Sequence, residues 1–310
     1  MSILFTFPGQ GSQRTGMLHA LPDDSAVAAT LHEAAAVLGL DPLTLDTEAA
    51  LASTRAVQLC LLIAGVAMAR SLAAQGGGPD MVAGFSIGEY PAAVVAGALD
   101  YADALRLVAL RGRLMEEAYP SGYGMAAIVG LEQAPLAALV AQIHSVASPV
   151  HIANLNARRQ IVIAGSETAL QQVMALALEH GASKVQRLAV NVPSHCPLFD
   201  AQAQEMAAAF AQVSLRRPVL TYLSSSAART LFEPARIRDS LASNMARQVN
   251  WADTVRLAWE RGARLALEMP SGAVLTRLTA PELADGLAIS CEGQRSDSLL
   301  AMLAEARRTR

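Results

Sequence analysis

Charge is scarce in this sequence: only 16% of its 310 residues are charged, and the formal net charge is -3. Such a surface lacks the dense basic field that nucleic acid or an anionic membrane would require, so neither is expected as a partner. Cysteine is scarcer still. Cys60, Cys196 and Cys291 are odd in number, far apart and without CxxC spacing, which argues against a disulfide framework and fits a reducing, cytoplasmic setting. The N-terminus MSILFTFPG has no basic n-region and soon meets Pro8, so it reads as a first strand rather than a signal peptide. The longest apolar run, Leu59 to Ala69, is too short to span a bilayer and reads as part of a buried helix. Internal repeats and low-complexity linkers are missing as well. What fills the sequence is apolar residues, 53% of the total, as in a well-buried protein of one large domain or two intimately associated ones. The terminal Arg307, Arg308 and Arg310 read as a frayed tail.

Periodicity divides the chain. Ile3 to Phe7 is an apolar strand running into the glycine-rich PGQGSQ. Thr54 to Ala74 is apolar nearly all round, as an interior helix would be, and is capped at Ser53 or Thr54. After the breaker GGGP comes a short strand, Met81 to Ala83, then a tight turn and a helix from Ile87 to Val95. Asp100 is placed to cap a helix reaching about Ala118. Between Gly124 and Leu188 the order becomes βαββαβ, that of a ferredoxin-like unit. The expected fold is therefore α/β: a large α/β-hydrolase-like domain with a mostly parallel sheet, residues 1–123 and 189–310, into which a small ferredoxin-like domain, 124–188, is inserted. After the insertion the pattern gives helices over Ala201 to Val213, Ile237 to Met245 and Ala252 to Arg261, with strands at Val219 to Ser224 and Arg264 to Glu268.

The turn Gly84-Phe85-Ser86-Ile87-Gly88 has the GxSxG spacing of a nucleophile elbow, in which only glycine fits on either side and the serine sits at a helix N-terminus. A plain glycine-serine turn would have the same composition, but here a β run precedes it and a helical run follows. Serine needs a base to take its proton. Of six histidines, His19, His32, His144 and His180 have surface-like surroundings and His151 begins a strand. His195, in NVPSHCP, lies on a proline-bracketed loop between a strand and a helix, where α/β proteins place catalytic groups. No acid stands in an obvious third position, but a backbone carbonyl can also hold the imidazole Nδ1 proton. That counts against an ordinary esterase.

The helix Tyr101 to Ala118 carries Arg111 within its own apolar stripe, among Leu107, Val108, Leu114 and Met115. A buried guanidinium needs an anion. Either Glu89 or Glu268 supplies it internally, or a substrate carboxylate does, held by the fork that arginine alone provides. A serine nucleophile beside such an arginine implies an acyl donor with a free carboxylate.

Several blocks together carry a resemblance: FPGQGSQ, GFSIGEY, the arginine of LVALRGRLM, GMAAIVGL, QIVIAG and VPSHC. In these, and in their order, the chain resembles the malonyl-CoA:acyl-carrier-protein transacylase family over nearly its whole length. The resemblance implies Ser86 as nucleophile, His195 as base and Arg111 as the ligand of the malonyl carboxylate. It further implies an oxyanion hole from the backbone amides of Gln10 and Ile87, and orientation of the histidine by the backbone carbonyl of Asn244. No metal and no tightly bound cofactor are implied; malonyl-CoA is the substrate. The chain departs from the family pattern at Phe85, where histidine is usual, at Gln248, where proline is usual, and in EMPSG at Glu268 to Gly272.

In length and in the NARRQIVIAG stretch the chain is most similar to the acyltransferase (epsilon) subunit of bacterial malonate decarboxylase. That likeness implies a phosphopantetheine-type carrier and other decarboxylase subunits as partners. The alternative is the transacylase of fatty-acid synthesis. Two further classes are weighed beside them: a serine hydrolase, distinguished by transfer to water, and a non-catalytic scaffold that binds CoA esters or a carrier without acylation, for which Phe85 is the only support. Glu89 and Gln58 either line the pocket or buttress it, and Cys196 reads as a packed residue rather than a second nucleophile.

Overall fold

The computed structural model describes residues 1–308. The chain opens with β1 (Ser2–Phe7), α1 (Ser25–Leu38), α2 (Thr54–Ala74), β2 (Met81–Gly84), α3 (Glu89–Val95) and α4 (Tyr101–Ala118). A middle stretch follows with β3 (Tyr123–Val129), α5 (Gln133–Ile143), β4 (Val150–Ala157), β5 (Gln160–Ser166), α6 (Glu167–Glu179) and β6 (Lys184–Arg187). The remainder holds α7 (Asp200–Phe210), β7 (Thr221–Ser224), β8 (Arg229–Leu231), α8 (Pro234–Ser243), β9 (Val249–Asn250) and α9 (Trp251–Glu260). It ends with β10 (Ala263–Glu268), α10 (Val274–Thr279), β11 (Leu287–Ser290) and α11 (Ser296–Arg308).

Two mixed sheets organise these elements. The first runs β11-β10-β1-β2-β7-β8, parallel throughout except for the antiparallel β8 at its edge. Its central strand β1 is buried on both faces, as parallel sheets require: Ile3, Phe5 and Phe7 enter the main core while Leu4 enters a second core with Trp251, Val255 and Leu275. The second sheet runs β6-β3-β5-β4-β9, antiparallel except where β9 joins β4. One of its faces is sealed by α5 and α6 through Ile128, Ile161, Ile163, Leu136 and Leu170.

Three differences from the sequence expectation have physical causes. The second sheet takes its fifth strand, β9, from well beyond residue 188, a pairing that two residues cannot announce by periodicity. Asp100 stands at the N-cap of α4 but its side chain makes no cap bond, because it pairs with Arg216 at 2.7 Å instead. The basic end of the chain is not a frayed tail: Arg307 and Arg308 finish α11, and Arg307 donates to the carbonyls of Gly76 and, at 2.6 Å, Gly78. Arg310 lies outside the described residues.

Helix α2 has the expected bounds, with the Ser53 hydroxyl accepting from the Ala56 amide. Its 21 residues, with a window of mean hydropathy 1.8, are long and apolar enough to cross a membrane by length and composition alone, yet 89% of that window is buried inside the fold. Each Leu or Ile it buries contributes about 1.5 to 3 kcal/mol. Helix α4 packs against it so closely at Gly112 that a Cβ there would lie 2.5 Å from the Arg55 Cα. Gly112→Ala should therefore lower stability by about 1 to 3 kcal/mol through overpacking; a urea denaturation midpoint equal to that of the parent would contradict this close approach.

Candidate active site

The GFSIG turn is dictated by contact distances. Strand β2 ends at Gly84, where a Cβ would sit 2.0 Å from the Gly88 carbonyl carbon, and a Cβ on Gly88 would sit 2.0 Å from the Phe7 carbonyl oxygen. Both glycines are needed for the chain to double back against β1. Between them Ser86 is held at φ 57°, a left-handed conformation that non-glycine residues avoid and that functional sites tolerate. Ile87 is the second residue of the short 3-10 turn Ser86–Gly88 that leads into α3, so its N–H belongs to the orphan donors of a helix start. The glycine-rich loop after β1 lies against this turn, since a Cβ on Gly9 would meet the Phe85 carbonyl oxygen at 2.9 Å. Gln10 thus borders the same cleft as Ser86.

His195, also at a positive φ of 66°, places Nε2 at 2.8 Å from the Ser86 Oγ. Its Nδ1 lies 2.8 Å from the Asn244 carbonyl oxygen and 3.1 Å from that of Arg247. Carbonyls only accept, so the proton resides on Nδ1 and Nε2 offers its lone pair to the serine hydroxyl. Burial, and then the nearby Arg111 charge, push the imidazole pKa down to about 4, against the opposing pull of the two carbonyls. At neutral pH the ring is therefore uncharged and ready to accept a proton.

Arg111 is 1% exposed. Its Nη1 donates to Gln58 Oε1 at 2.7 Å, Nε and Nη2 donate to Asn244 Oδ1 at 3.3 and 3.2 Å, and Nη2 reaches the Ser86 Oγ at 3.3 Å. Neither candidate carboxylate pairs with it. Glu89 Oε1 accepts from the amides and hydroxyls of Ser225 and Ser226, and Glu268 accepts from Leu275 and Thr276 at the start of α10. The guanidinium hydrogen-bonds neutral groups and makes no ion pair among the described residues; burial lowers its pKa, opposed by the nearby Tyr90 and Glu89. Gln58 and Glu89 are both fully buried and outside the cleft wall, so they buttress. Arg111 itself lies behind Ser86 rather than on the open wall.

Asn244 joins these groups, through more atoms than the one carbonyl the sequence pointed to. Its carbonyl accepts from His195, its Oδ1 accepts from Arg111, and its Nδ2 donates to the Ser86 carbonyl at 3.1 Å. The side-chain bonds have no signal in a single sequence, because they cross between segments far apart in the chain. Cys196 is a packed residue: it is buried, its thiol contacts the Pro193 carbonyl at 3.1 Å, and burial pushes its pKa up to about 12.

The three departures each have a place. Phe85 packs edge-on against Trp251 with ring centroids 5.7 Å apart. Gln248 Nε2 donates to the Ile152 carbonyl on β4 at 3.4 Å. In the EMPSG loop the Ser271 hydroxyl donates to the Ser12 carbonyl at 2.6 Å, bracing the glycine-rich loop beside Ser86.

With this arrangement in view, the acyl transferase domain model matches residues 4–292. The chain belongs to this family. The malonyl CoA-acyl carrier protein transacylase of Escherichia coli K12 is 38% identical over 283 residues, 89% of this chain and 91% of the relative. The crystal structure of FabD from Acinetobacter baumannii superimposes with a TM-score of 0.93 at 36% identity, covering 98% of this chain and 99% of the other. A malonyl-transacylase solved in complex with a type II PKS acyl-carrier protein gives 0.91 at 33% identity, covering 99% and 100%.

Because Arg111 is among the causes that depress His195, removing its charge should raise the imidazole pKa. In an NMR titration the free protein should show His195 titrating at about 4, and Arg111→Gln should move that midpoint upward. The sign for stability follows: an imidazole pKa below the unfolded value of about 6.5 gives stability that is present above that pH and lost as pH falls through about 4. A midpoint unmoved by Arg111→Gln would remove the arginine from the electrostatics of the base.

Proposed function

We propose that this chain is a malonyl-CoA:acyl-carrier-protein S-malonyltransferase, with Ser86 as nucleophile, His195 as base and Arg111 as the carboxylate ligand. The observation that carries this reading is the buried Arg111, which makes no ion pair among the described residues and lies 3.3 Å from the Ser86 Oγ that His195 addresses from 2.8 Å. An acyl group with a free carboxylate matches the unbalanced charge. The relatives named for malonyl CoA and acyl carrier protein support the transacylase that stood as the alternative. The assignment to a malonate decarboxylase subunit, which the sequence favoured on overall likeness, gains no support from them and is given up.

In this reading malonyl-CoA enters with its carboxylate toward Arg111. Ser86 Oγ attacks the thioester carbon as its proton passes to His195 Nε2. The oxyanion is received by the amides of Gln10 and Ile87, each donor contributing about 3 to 4 kcal/mol. The C–S bond breaks, the CoA sulfur takes the proton from His195, and a malonyl-serine ester remains. The phosphopantetheine thiol of the carrier then reverses the steps in a ping-pong cycle. The Asn244 carbonyl steadies the imidazolium that forms on each pass. Malonyl-CoA is a substrate, and every step uses side chains and amides of this chain without a tightly bound cofactor. We further read residues 1–123 and 189–310 as an α/β-hydrolase-like catalytic domain and 124–188 as a ferredoxin-like one, a division supported by the two sheets and by the core that α5 and α6 form on the second, although β9 and residues such as Met125 and Val162 cross it.

Intact-protein mass after brief exposure to malonyl-CoA should show a malonyl adduct, lost in Ser86→Ala and discharged by a holo carrier. Arg111→Ala should cut malonyl transfer by about 10- to 100-fold while sparing acetyl transfer in relative terms; equal losses on both substrates would refute the carboxylate role. Release of CoA by hydrolysis alone, with no gain from a thiol acceptor, would favour a serine hydrolase.

A further inference from the structure

The Gln10 amide can receive an oxyanion only if the glycine-rich loop keeps one conformation, yet that loop has little packing to hold it. No residue from Gln10 to Arg14 is buried. One side of the loop borders the cleft. On another, Arg14 and Met17 border a second cavity of about 270 Å³ together with Pro270, Cys291 and Glu292. With space on both sides, the loop depends on hydrogen bonds for its position.

Gly9 to Ser12 form a turn. Gly11, its third residue, sits at φ 105°, a left-handed conformation that glycine supplies without strain. The Ser12 N–H reaches the Gly9 carbonyl only at 3.4 Å, while the Ser12 hydroxyl donates to the same oxygen at 2.8 Å. Ser12 is thus the end from which the turn, and the Gln10 amide within it, is held.

Two grips reach this loop from the segment between β10 and α11. Ser271 is fully buried and donates its hydroxyl to the Ser12 carbonyl at 2.6 Å. Glu292 pairs with Arg14 through Oε1 at 2.6 Å and accepts the Gly272 N–H on Oε2 at 3.2 Å. Ser290, which ends β11, donates to the Gly272 carbonyl at 2.5 Å and accepts from the Glu292 N–H at 3.0 Å. Ser271 is therefore tied through its neighbour Gly272 to the edge of the first sheet. The Arg14–Glu292 pair is partly exposed and contributes little alone. The Ser271 bond, made by a buried hydroxyl, is the firmer grip.

We propose that Ser271 is a positioning residue for the oxyanion hole: by fixing the Ser12 carbonyl it fixes the Gly9–Ser12 turn and the direction of the Gln10 N–H, with Glu292 as its outer support. The inference rests on the transfer reading above and extends it to residues that touch neither Ser86 nor the cleft. Reacting geometry tolerates errors of only about 0.5 Å, so a loosened turn weakens one oxyanion donor without removing it. The oxyanion forms only as the thioester carbon is attacked. Its loss belongs to the rate of acylation, not to ground-state binding. The acyl carboxylate plays no part, so malonyl and acetyl transfer should fall together, unlike the pattern expected for Arg111→Ala.

The test follows single-turnover acylation of Ser86 by mass in the whole protein, with malonyl-CoA and with acetyl-CoA. It reads the maximal rate and the thioester concentration that gives half of it. Ser271→Ala should lower the maximal rate about tenfold on both substrates, short of the roughly 100- to 1000-fold that follows loss of a whole donor. The half-saturating concentration should stay within about twofold of the parent. Glu292→Gln, at a partly exposed position, should fold as the parent does and lower the rate about two- to threefold. A purely structural role predicts a lower thermal midpoint and an unchanged rate well below it. That result for Ser271→Ala, or a rise in half-saturation alone, would overturn the inference while leaving the transfer reading standing. Should Ser271→Ala fail to fold, a parental rate in Glu292→Gln would overturn it equally. Absence of any Ser86 adduct in the parent would overturn both.

Discussion

A guanidinium buried without an ion-pair partner among the described residues is the constraint around which this cluster is built. Arg111 can remain inside only because Gln58, Asn244 and Ser86 satisfy its donors, and those same partners fix where everything else must lie. Asn244 has to bring its side chain to the arginine, and in doing so it sets its carbonyl against His195. The imidazole, sharing that environment, is kept neutral by burial and by the arginine's charge. One buried charge thus shapes the electrostatics of His195 and of the space beside Ser86, as the proposed carboxylate role of Arg111 requires.

Positioning this charge beside Ser86 depends on close backbone approach. Gly84 and Gly88 let the elbow fold back on β1, Gly9 lets the glycine-rich loop lie on Phe85, and Gly112 lets α4 carry Arg111 against α2. None of these contacts tolerates a Cβ without displacement. The second sheet supplies the remaining wall, whose uncharged carboxamides contrast with the cation behind Ser86. The cleft is therefore electrostatically divided, uncharged along its open walls and cationic behind Ser86.

Much of this was legible from residue order. The parallel strands declare themselves as short apolar runs, α2 as a helix apolar nearly all round, and the βαββαβ order as a change of period at Gly124. Ser86 was marked by its glycines and Arg111 by its place in an apolar stripe, while His195 stood out by elimination and by its proline-bracketed loop. Strand β9 was not legible because two residues carry no period, and the carboxy-terminal helix was missed because its anchoring bonds run to Gly76 and Gly78 across the chain. Overall likeness to one branch of the family also pointed to a decarboxylase subunit that the relatives do not support, since no individual residue stood behind it.

The sequence by itself determined the local geometry: where strands and helices form, which glycines allow the sharp turn, and which arginine is turned inward. These depend on side-chain period and on single-residue conformational freedom, which are properties of neighbours in the chain. Only the tertiary structure decided that Glu89 hydrogen-bonds Ser225 and Ser226 rather than Arg111, and that Asn244 joins His195, Ser86 and Arg111. Those outcomes are relations between segments about fifty to more than a hundred residues apart, and the burial and charge balance that fix them exist only once the chain has closed on itself.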